Sequence, residues 1–377
     1  MDRLDELDVF YQDRKVGTLA LYNNLYAAFE YESEWLADGF SISPFSLPLE
    51  KKVFIPKMDP FDGIFGVFND SLPDGWGRLI VDRLMRKNGI NPVQMGNLDR
   101  LAIVGNSGMG ALTYRPAIRL NESNKQLSLD EIAHECEAIL NSEDISNLDY
   151  LFENGGSSGG ARPKILTNVK GEDWIIKFPS SLDDANIGKM EYEYALCAKE
   201  CGIEMEEVSL FESNRCSGYF GTKRFDRKSS SIDGRIHMIS VSGLLETSHR
   251  IPNLDYDLLM KLTLQLTKSM DECLKLYKLM CFNVFAHNRD DHSKNFTYQY
   301  HEQLRCWKLS PSYDLTYSNS LGGEHATTVH GNGINPGMNE VLAVARNIGI
   351  SKEKAGRIAK DIQECVNERL SEYIERF

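Results

Sequence analysis

His287-Asn288-Arg289-Asp290-Asp291-His292-Ser293-Lys294-Asn295-Phe296 is the stretch on which the reading of this chain turns. It follows an apolar run ending Leu279-Met280-Cys281-Phe282-Asn283-Val284-Phe285, whose length and composition predict a buried helix. Asp290 and Asn295 stand in D-x-x-x-x-N spacing. In a kinase catalytic loop that spacing holds an aspartate that accepts the substrate hydroxyl proton and an asparagine that binds magnesium. Downstream, Leu309-Ser310-Pro311-Ser312-Tyr313-Asp314-Leu315-Thr316 sets a second acidic residue after a strand-like stretch, where a metal-holding aspartate is expected. Hard oxygen donors with few protein contacts suit Mg²⁺ bound largely through phosphates. Read alone, the stretch supports two other assignments. His287, Asp290, Asp291 and His292 offer the imidazole and carboxylate ligands of a zinc, iron or manganese hydrolase. A polar helix C-terminus with histidines on its last carbonyls is the plainest reading.

Two upstream features favour the kinase assignment. Asn154-Gly155-Gly156-Ser157-Ser158-Gly159-Gly160-Ala161-Arg162-Pro163-Lys164 frees the backbone to approach an anion, and Lys164 adds a point charge. The run fits neither a Walker A motif nor G-x-G-x-x-G, and by itself it equally describes a flexible linker. Asp173-Trp174-Ile175-Ile176-Lys177-Phe178-Pro179 then places one lysine in an apolar strand, where a lone charge is costly without a partner. The helix expected over about 186–200 offers Glu191 and Glu193 as that partner. An edge or solvent-facing lysine is the alternative.

The ordered set resembles the HipA family, the serine/threonine kinase toxins of bacterial toxin–antitoxin modules, over most of the chain. Phe68-Asn69-Asp70-Ser71-Leu72-Pro73-Asp74-Gly75-Trp76-Gly77-Arg78 resembles the signature of that family's N-terminal subdomain. Ser157 to Lys164 resembles its phosphate loop, Ile175 to Pro179 its ATP-lysine strand, and Thr222-Lys223-Arg224-Phe225-Asp226-Arg227 its adenine hinge. Asp290-Asp291-His292-Ser293-Lys294-Asn295 matches its D-x-H-x-K-N loop, and Ser310-Pro311-Ser312-Tyr313-Asp314 its counterpart of the kinase DFG motif.

The resemblance implies roles position by position. Asp290 becomes the general base, Lys177 the phosphate-binding lysine, and Asn295 with Asp314 the magnesium ligands. Gly159, Gly160, Ala161, Arg162 and Lys164 become the phosphate loop, and Lys223 to Phe225 the hinge. His292, Lys294 and Tyr313 line the nucleotide, and Glu191 is the helix partner of Lys177. Ser157 occupies the place of a serine whose autophosphorylation expels the loop, with Ser158 beside it. Two departures stand out: Arg162-Pro163 where Gln-Glu is frequent, and Asp291 where glycine is common. An extra carboxylate at 291 is expected to raise the pKa of Asp290 or help hold a metal.

The implied function is an ATP- and Mg²⁺-dependent serine/threonine protein kinase. Its implied substrate is a translation-related protein such as an aminoacyl-tRNA synthetase, and its implied partner a HipB-like helix-turn-helix antitoxin. A nucleotide-binding pseudokinase or antitoxin-binding module shares every motif.

The 377 residues carry 42 Lys and Arg against 55 Asp and Glu, a net charge of −13, which argues against an autonomous nucleic-acid binder and leaves DNA or RNA contact to a local basic patch or a basic partner. No apolar run reaches a membrane span, and the acidic start Met1-Asp2-Arg3-Leu4-Asp5-Glu6 is unlike a signal peptide, so a cytoplasmic protein is expected. The eight cysteines include no C-x-x-C pair and read as reduced thiols, not as a disulfide frame or zinc site.

The expected fold is α+β, a bilobal protein-kinase-like core with an N-terminal β-rich subdomain and a helical C-terminal lobe. Boundaries are expected at 1–118 for the subdomain, 119–150 for a connector, 151–245 for the nucleotide lobe and 246–377 for the helical lobe. Short apolar-aromatic runs at 9–11, 16–21, 27–31 and 53–55 predict a small antiparallel sheet. Trp76 between two glycines is read as a packing anchor, and a solvated amphipathic helix is expected over 351–377.

Overall fold

The computed structural model describes residues 3–118, 126–143, 145–181, 183–228, 234–319 and 321–374. Met1-Asp2, residues 119–125 and 144 of the expected connector, and 375–377 of the expected last helix lie outside them. Contacts divide the chain into two compact units, Met1–Ala185 with Phe211–Thr247, and Asn186–Leu210 with Ser248–Phe377.

In the first unit the four apolar-aromatic runs become β1 (Glu6–Tyr11), β2 (Arg14–Tyr22), β3 (Tyr26–Tyr31) and β4 (Val53–Phe54). β5 (Leu112–Arg115), which no run had marked, pairs antiparallel with β1 and completes the order β4-β3-β2-β1-β5. Leu7, Val9 and Tyr11 alternate inward along β1, so its register is set by burial of one face.

Three further helices surround α1 (Gly75–Lys87): α2 (Asn97–Val104), α3 (Leu129–Leu140) and α4 (Leu148–Gly155). α3 starts where Ser128 and Glu131 cap each other, the Ser128 N–H donating to the Glu131 carboxylate at 2.8 Å and the Glu131 N–H to Ser128 Oγ at 3.3 Å. Then β6 (Lys164–Val169), β7 (Glu172–Lys177) and β8 (Tyr219–Lys223) pair antiparallel in that order.

A single apolar core joins these elements. Trp76, Ile80 and Leu84 of α1 pack with Ile132, Cys136 and Ile139 of α3, Leu151 of α4, and Ile165, Trp174, Ile176 and Tyr219 of the sheet. One face of α3 (Ile132, Ala133, Cys136, Ala138 and Ile139) is therefore core, although α3 lies inside the stretch expected to connect.

The second unit is mostly helical: α5 (Ile187–Glu200), α6 (Tyr256–Thr267), α7 (Met270–Phe285), α8 (Met338–Asn347) and α9 (Lys352–Ile374). α7 is buried almost throughout its second half and ends at Phe285, where the apolar run ends. α9 buries Ala355, Ala359, Ile362, Val366 and Leu370 on one helical face, leaving its charged residues outward. Tyr277 of α7 donates to the Ala355 carbonyl at 3.2 Å, and Tyr194 of α5 to the Ala286 carbonyl at 3.0 Å. A hairpin of β9 (Thr297–His301) and β10 (Cys306–Leu309) follows α7, with Tyr298 opposite Leu309 and Tyr300 opposite Trp307. Among the described residues no helix is long and apolar enough to cross a membrane.

Candidate functional site

The glycine loop of the first unit is held by the Ser71–Arg78 segment. Asp74 Oδ1 accepts from the Gly160 N–H at 2.5 Å, and the Trp76 N–H donates to the Gly160 carbonyl at 2.9 Å. The Trp76 indole N–H donates to the Lys164 carbonyl at 3.1 Å, and its ring is 1% exposed. Trp76 is thus a packing anchor. The close approach explains its flanking glycines: a Cβ at Gly75 would sit 2.3 Å from the Gly160 oxygen, and one at Gly77 2.2 Å from the Ser158 oxygen. The role of Asp74 was missed in the sequence; its signal was a carboxylate next to Gly-Trp-Gly.

Both candidate serines point into the protein. Ser157 Oγ donates to the Ser107 carbonyl at 2.9 Å and Ser158 Oγ to the Gly155 carbonyl at 2.6 Å, with exposures of 8% and 2%. Neither hydroxyl can be phosphorylated without moving the loop. Arg162 forks onto Asp183 through two contacts of 3.1 Å, which tie the loop to the segment after β7.

Lys164 and Lys177 lie directly opposite each other on β6 and β7. Lys164 is buried, its ammonium close to Gly160; Lys177 is half-buried, with Nζ 5.5 Å from the Phe220 ring centre. Directly opposed residues leave the same face of a strand pair, so both lysines stand next to the glycine loop, a setting suited to an anion. Lys223 ends β8, and Phe225 follows half-buried. The next residue, Asp226, is fully buried and accepts from the Gly110 N–H at 2.6 Å, from Arg224 at 2.8 Å and 3.0 Å, and from Arg227 at 2.7 Å. Burial would raise its carboxyl, but the Arg224 and Arg227 guanidiniums outweigh burial and hold it well below the usual range. Arg227 in turn donates to the Gly108 and Gly110 carbonyls, so the two arginines brace the 222–227 segment.

In the second unit the two adjacent aspartates separate. Asp290 projects outward with its side chain 64% exposed. Its carbonyl accepts from Asn295 Nδ2 at 2.5 Å, and His292 Nε2 lies 3.9 Å from Asp290 Oδ1. Asp291 is 1% exposed. Its carboxylate accepts from the Tyr256 hydroxyl at 2.9 Å and the Thr327 N–H at 3.1 Å, and pairs with His325 Nδ1 at 3.0 Å. Burial and the Asp291 charge push the Tyr256 hydroxyl far above its ordinary value. These bonds anchor the loop to the core through the Asp291 carboxylate. Among the described residues, His287, Asp290, Asp291 and His292 form no group of three ligand atoms close enough to share an ion.

The same loop gathers the other candidates. The Lys294 N–H donates to His292 Nδ1 at 3.3 Å, and the Tyr313 hydroxyl donates to the Lys294 carbonyl at 2.6 Å. Tyr313 and Thr297 share a hydroxyl contact of 2.7 Å, which brings the Tyr313-Asp314 pair to the catalytic-type loop. Asp314 is half-buried with φ of +57°, a left-handed backbone that turns the chain sharply after Tyr313. On α5, Glu191 is buried and Glu193 half-buried.

Comparison with known proteins follows this geometry. A model described as the HipA N-terminal domain matches residues 7–115, and one described as the HipA-like C-terminal domain matches 156–370. No curated protein matches by sequence. Among solved structures, the HipA of Shewanella oneidensis MR-1, solved with HipB and its operator DNA, superposes at a TM-score of 0.70 and 16% identity, covering 98% of this chain and 91% of that one. The Helicobacter pylori proinflammatory kinase CtkA reaches a TM-score of only 0.37 at 13% identity, covering 58% of this chain and 91% of that one. The expected α+β architecture is thus the HipA fold, and with a family match over more than half its length, the chain belongs to the HipA family.

Proposed function

We propose that this chain is a serine/threonine protein kinase of the HipA toxin type, dependent on ATP and Mg²⁺. The observation that carries the reading is the split of the aspartates, with Asp291 sunk among Tyr256, His325 and Thr327 so that Asp290 is presented outward on a fixed loop. A base that must meet an incoming hydroxyl needs that exposure and that rigidity.

The donor sets fit the implied ligands. Opposed Lys164 and Lys177 supply two charges toward a polyphosphate. Asn295 spends its amide N–H on the Asp290 carbonyl and keeps Oδ1 as a hard donor, and Asp314 adds a carboxylate, a combination suited to Mg²⁺. Bound Mg-ATP supplies the transferable phosphoryl group and a cation to offset its charge. Asp290 receives the proton of the substrate hydroxyl at its carboxylate. Lys177 and Lys164 offset charge on the nucleotide, and His292, beside Asp290, helps orient it.

A HipB-like helix-turn-helix antitoxin is the proposed partner, supported by the Shewanella structure, which contains HipB and operator DNA. With a net charge of −13, this chain is proposed to reach DNA through that partner. The proposed substrate is a translation-related protein such as an aminoacyl-tRNA synthetase, in the cytoplasm. Mass spectrometry of the purified chain after incubation with Mg-ATP, alone and with such substrates, tests the reading. Phosphate on a serine or threonine, absent with Asp290→Ala, is the expected result. Nucleotide binding with no transfer to any of them would mark a non-catalytic nucleotide module.

A further inference from the structure

Three thiols meet in the second unit, away from the catalytic-type loop. Cys197 and Cys201 stand four residues apart at the end of α5, with Cys201 capping the helix, and Cys365 comes from α9. Their sulfurs all lie within 4.8 Å of one another. Cys197 is buried, while Cys201 and Cys365 are half-buried, so the trio has a dry floor and a side open to solvent. Among the described residues no other set of histidine, cysteine or acidic side chains comes this close together. The α5–α9 contact is fixed beside the trio by Arg369, which pairs with Glu200 at 3.2 Å.

We propose that Cys197, Cys201 and Cys365 form a binding site for a thiophilic divalent cation, Zn²⁺, with the fourth position left to solvent. Tetrahedral Zn²⁺ holds sulfur at about 2.3 Å, which puts thiolates roughly 3.8 Å apart. Closing the trio from its present spacing takes side-chain rotation of up to about 1 Å with both helices in place. Each thiol that binds releases its proton to solvent, and three thiolates on Zn²⁺ leave one excess negative charge beside Arg369. A disulfide would use two of the sulfurs and leave the third idle, whereas a cation uses all three. Binding would pin the end of α5, the helix that carries Glu191, to α9.

The sequence had argued against a zinc site because it contains no C-x-x-C pair. The i, i+4 pair on one helix and a third ligand from a distant helix escape that test. The proposal is independent of the kinase reading.

The test uses the full chain, reduced, stripped with a chelator and titrated with Co²⁺ as a spectroscopic probe. One Co²⁺ per chain with thiolate-to-cobalt charge-transfer bands, displaced by Zn²⁺, is expected. Cys201→Ser and Cys365→Ser, at half-buried positions, should each weaken binding at least about tenfold, and Cys306→Ser should leave it unchanged. On the unsubstituted chain, Zn²⁺ should protect Cys201 and Cys365 from alkylation, read by mass spectrometry. Absence of the bands, bands that survive Cys201→Ser/Cys365→Ser together, or unchanged alkylation would overturn the site. So would a disulfide from Cys365 to Cys197 or Cys201 in the chain as purified.

Discussion

Asp74 Oδ1 accepts the Gly160 N–H at 2.5 Å, and this bond ties the segment before α1 to the glycine loop before β6. The loop is therefore ordered by a distant part of the chain, although its composition would allow it to be a linker. Gly75, Trp76 and Gly77 complete the clamp by bringing backbone against backbone.

Gly77→Ala should break that clamp. The new methyl would start 2.2 Å from the Ser158 carbonyl oxygen, so the loop or the helix start must shift. A loss of about 1–3 kcal/mol in unfolding free energy is expected from overpacking of this kind. Weakened nucleotide binding should accompany it. Denaturant melts and calorimetry with Mg-ATP check both, and a variant with parental values in each would show that the clamp does not govern the loop.

Asp290→Ala and Asp291→Ala should fail in opposite ways. Removing the outward Asp290 carboxylate should abolish phosphoryl transfer while changing stability by no more than about 0.5 kcal/mol. Removing Asp291 strands the Tyr256 hydroxyl, His325 and the Thr327 N–H in the core, and should cost about 3 kcal/mol. Urea unfolding alongside transfer assays separates the two, and an Asp291→Ala chain as stable as its parent would remove the anchoring role.

Lys177→Ala should weaken ATP binding by about 1–3 kcal/mol through loss of a charge-assisted contact. Unchanged affinity by calorimetry would place Lys177 outside the nucleotide site.

Stability should fall with acid through His237. Its ring donates from Nε2 to the Ile42 carbonyl at 2.8 Å, and burial holds its pKa down at about 4. The unfolded chain takes up its proton near pH 6.5, before the folded chain does, so the neutral ring favours folding fully above that pH. That contribution declines as pH falls toward 4, by about 3 kcal/mol for this group alone. Unfolding measured at pH 7 and pH 4.5 should show a smaller difference for His237→Gln than for the parent; an equal difference would assign the slope to other groups.

Ser157→Asp should lower ATP affinity. The hydroxyl that donates to the Ser107 carbonyl would be replaced by a carboxylate facing that oxygen, which favours loop release. A true phosphoryl group adds about −1.5 to −2 charges and should act more strongly. Ser157→Ala should keep transfer activity and lose self-inhibition, measured by extended incubation with Mg-ATP; continued loop phosphorylation in both Ser157→Ala and Ser158→Ala would move the regulatory serine elsewhere.

What the sequence alone determined was local in origin. Strands β1 to β4, the end of α7 at Phe285 and the spacing of Asp290 to Asn295 depend on periodicity and on neighbours a few residues apart, which a single chain displays directly. The tertiary structure decided what depends on distant partners. The spacing to Asn295 singles out Asp290, but only Tyr256, His325 and Thr327 decide that Asp291 is the one buried. β5 pairs with β1, a partner about a hundred residues away that no local pattern shows, because a sheet edge seeks hydrogen bonds. The α3 helix joins the core through Ile132, Cys136 and Ile139, though the acidic stretch around it read as a connector. Cys197, Cys201 and Cys365 form a trio because α5 and α9 pack side by side, a contact set by apolar faces and not by the spacing of cysteines.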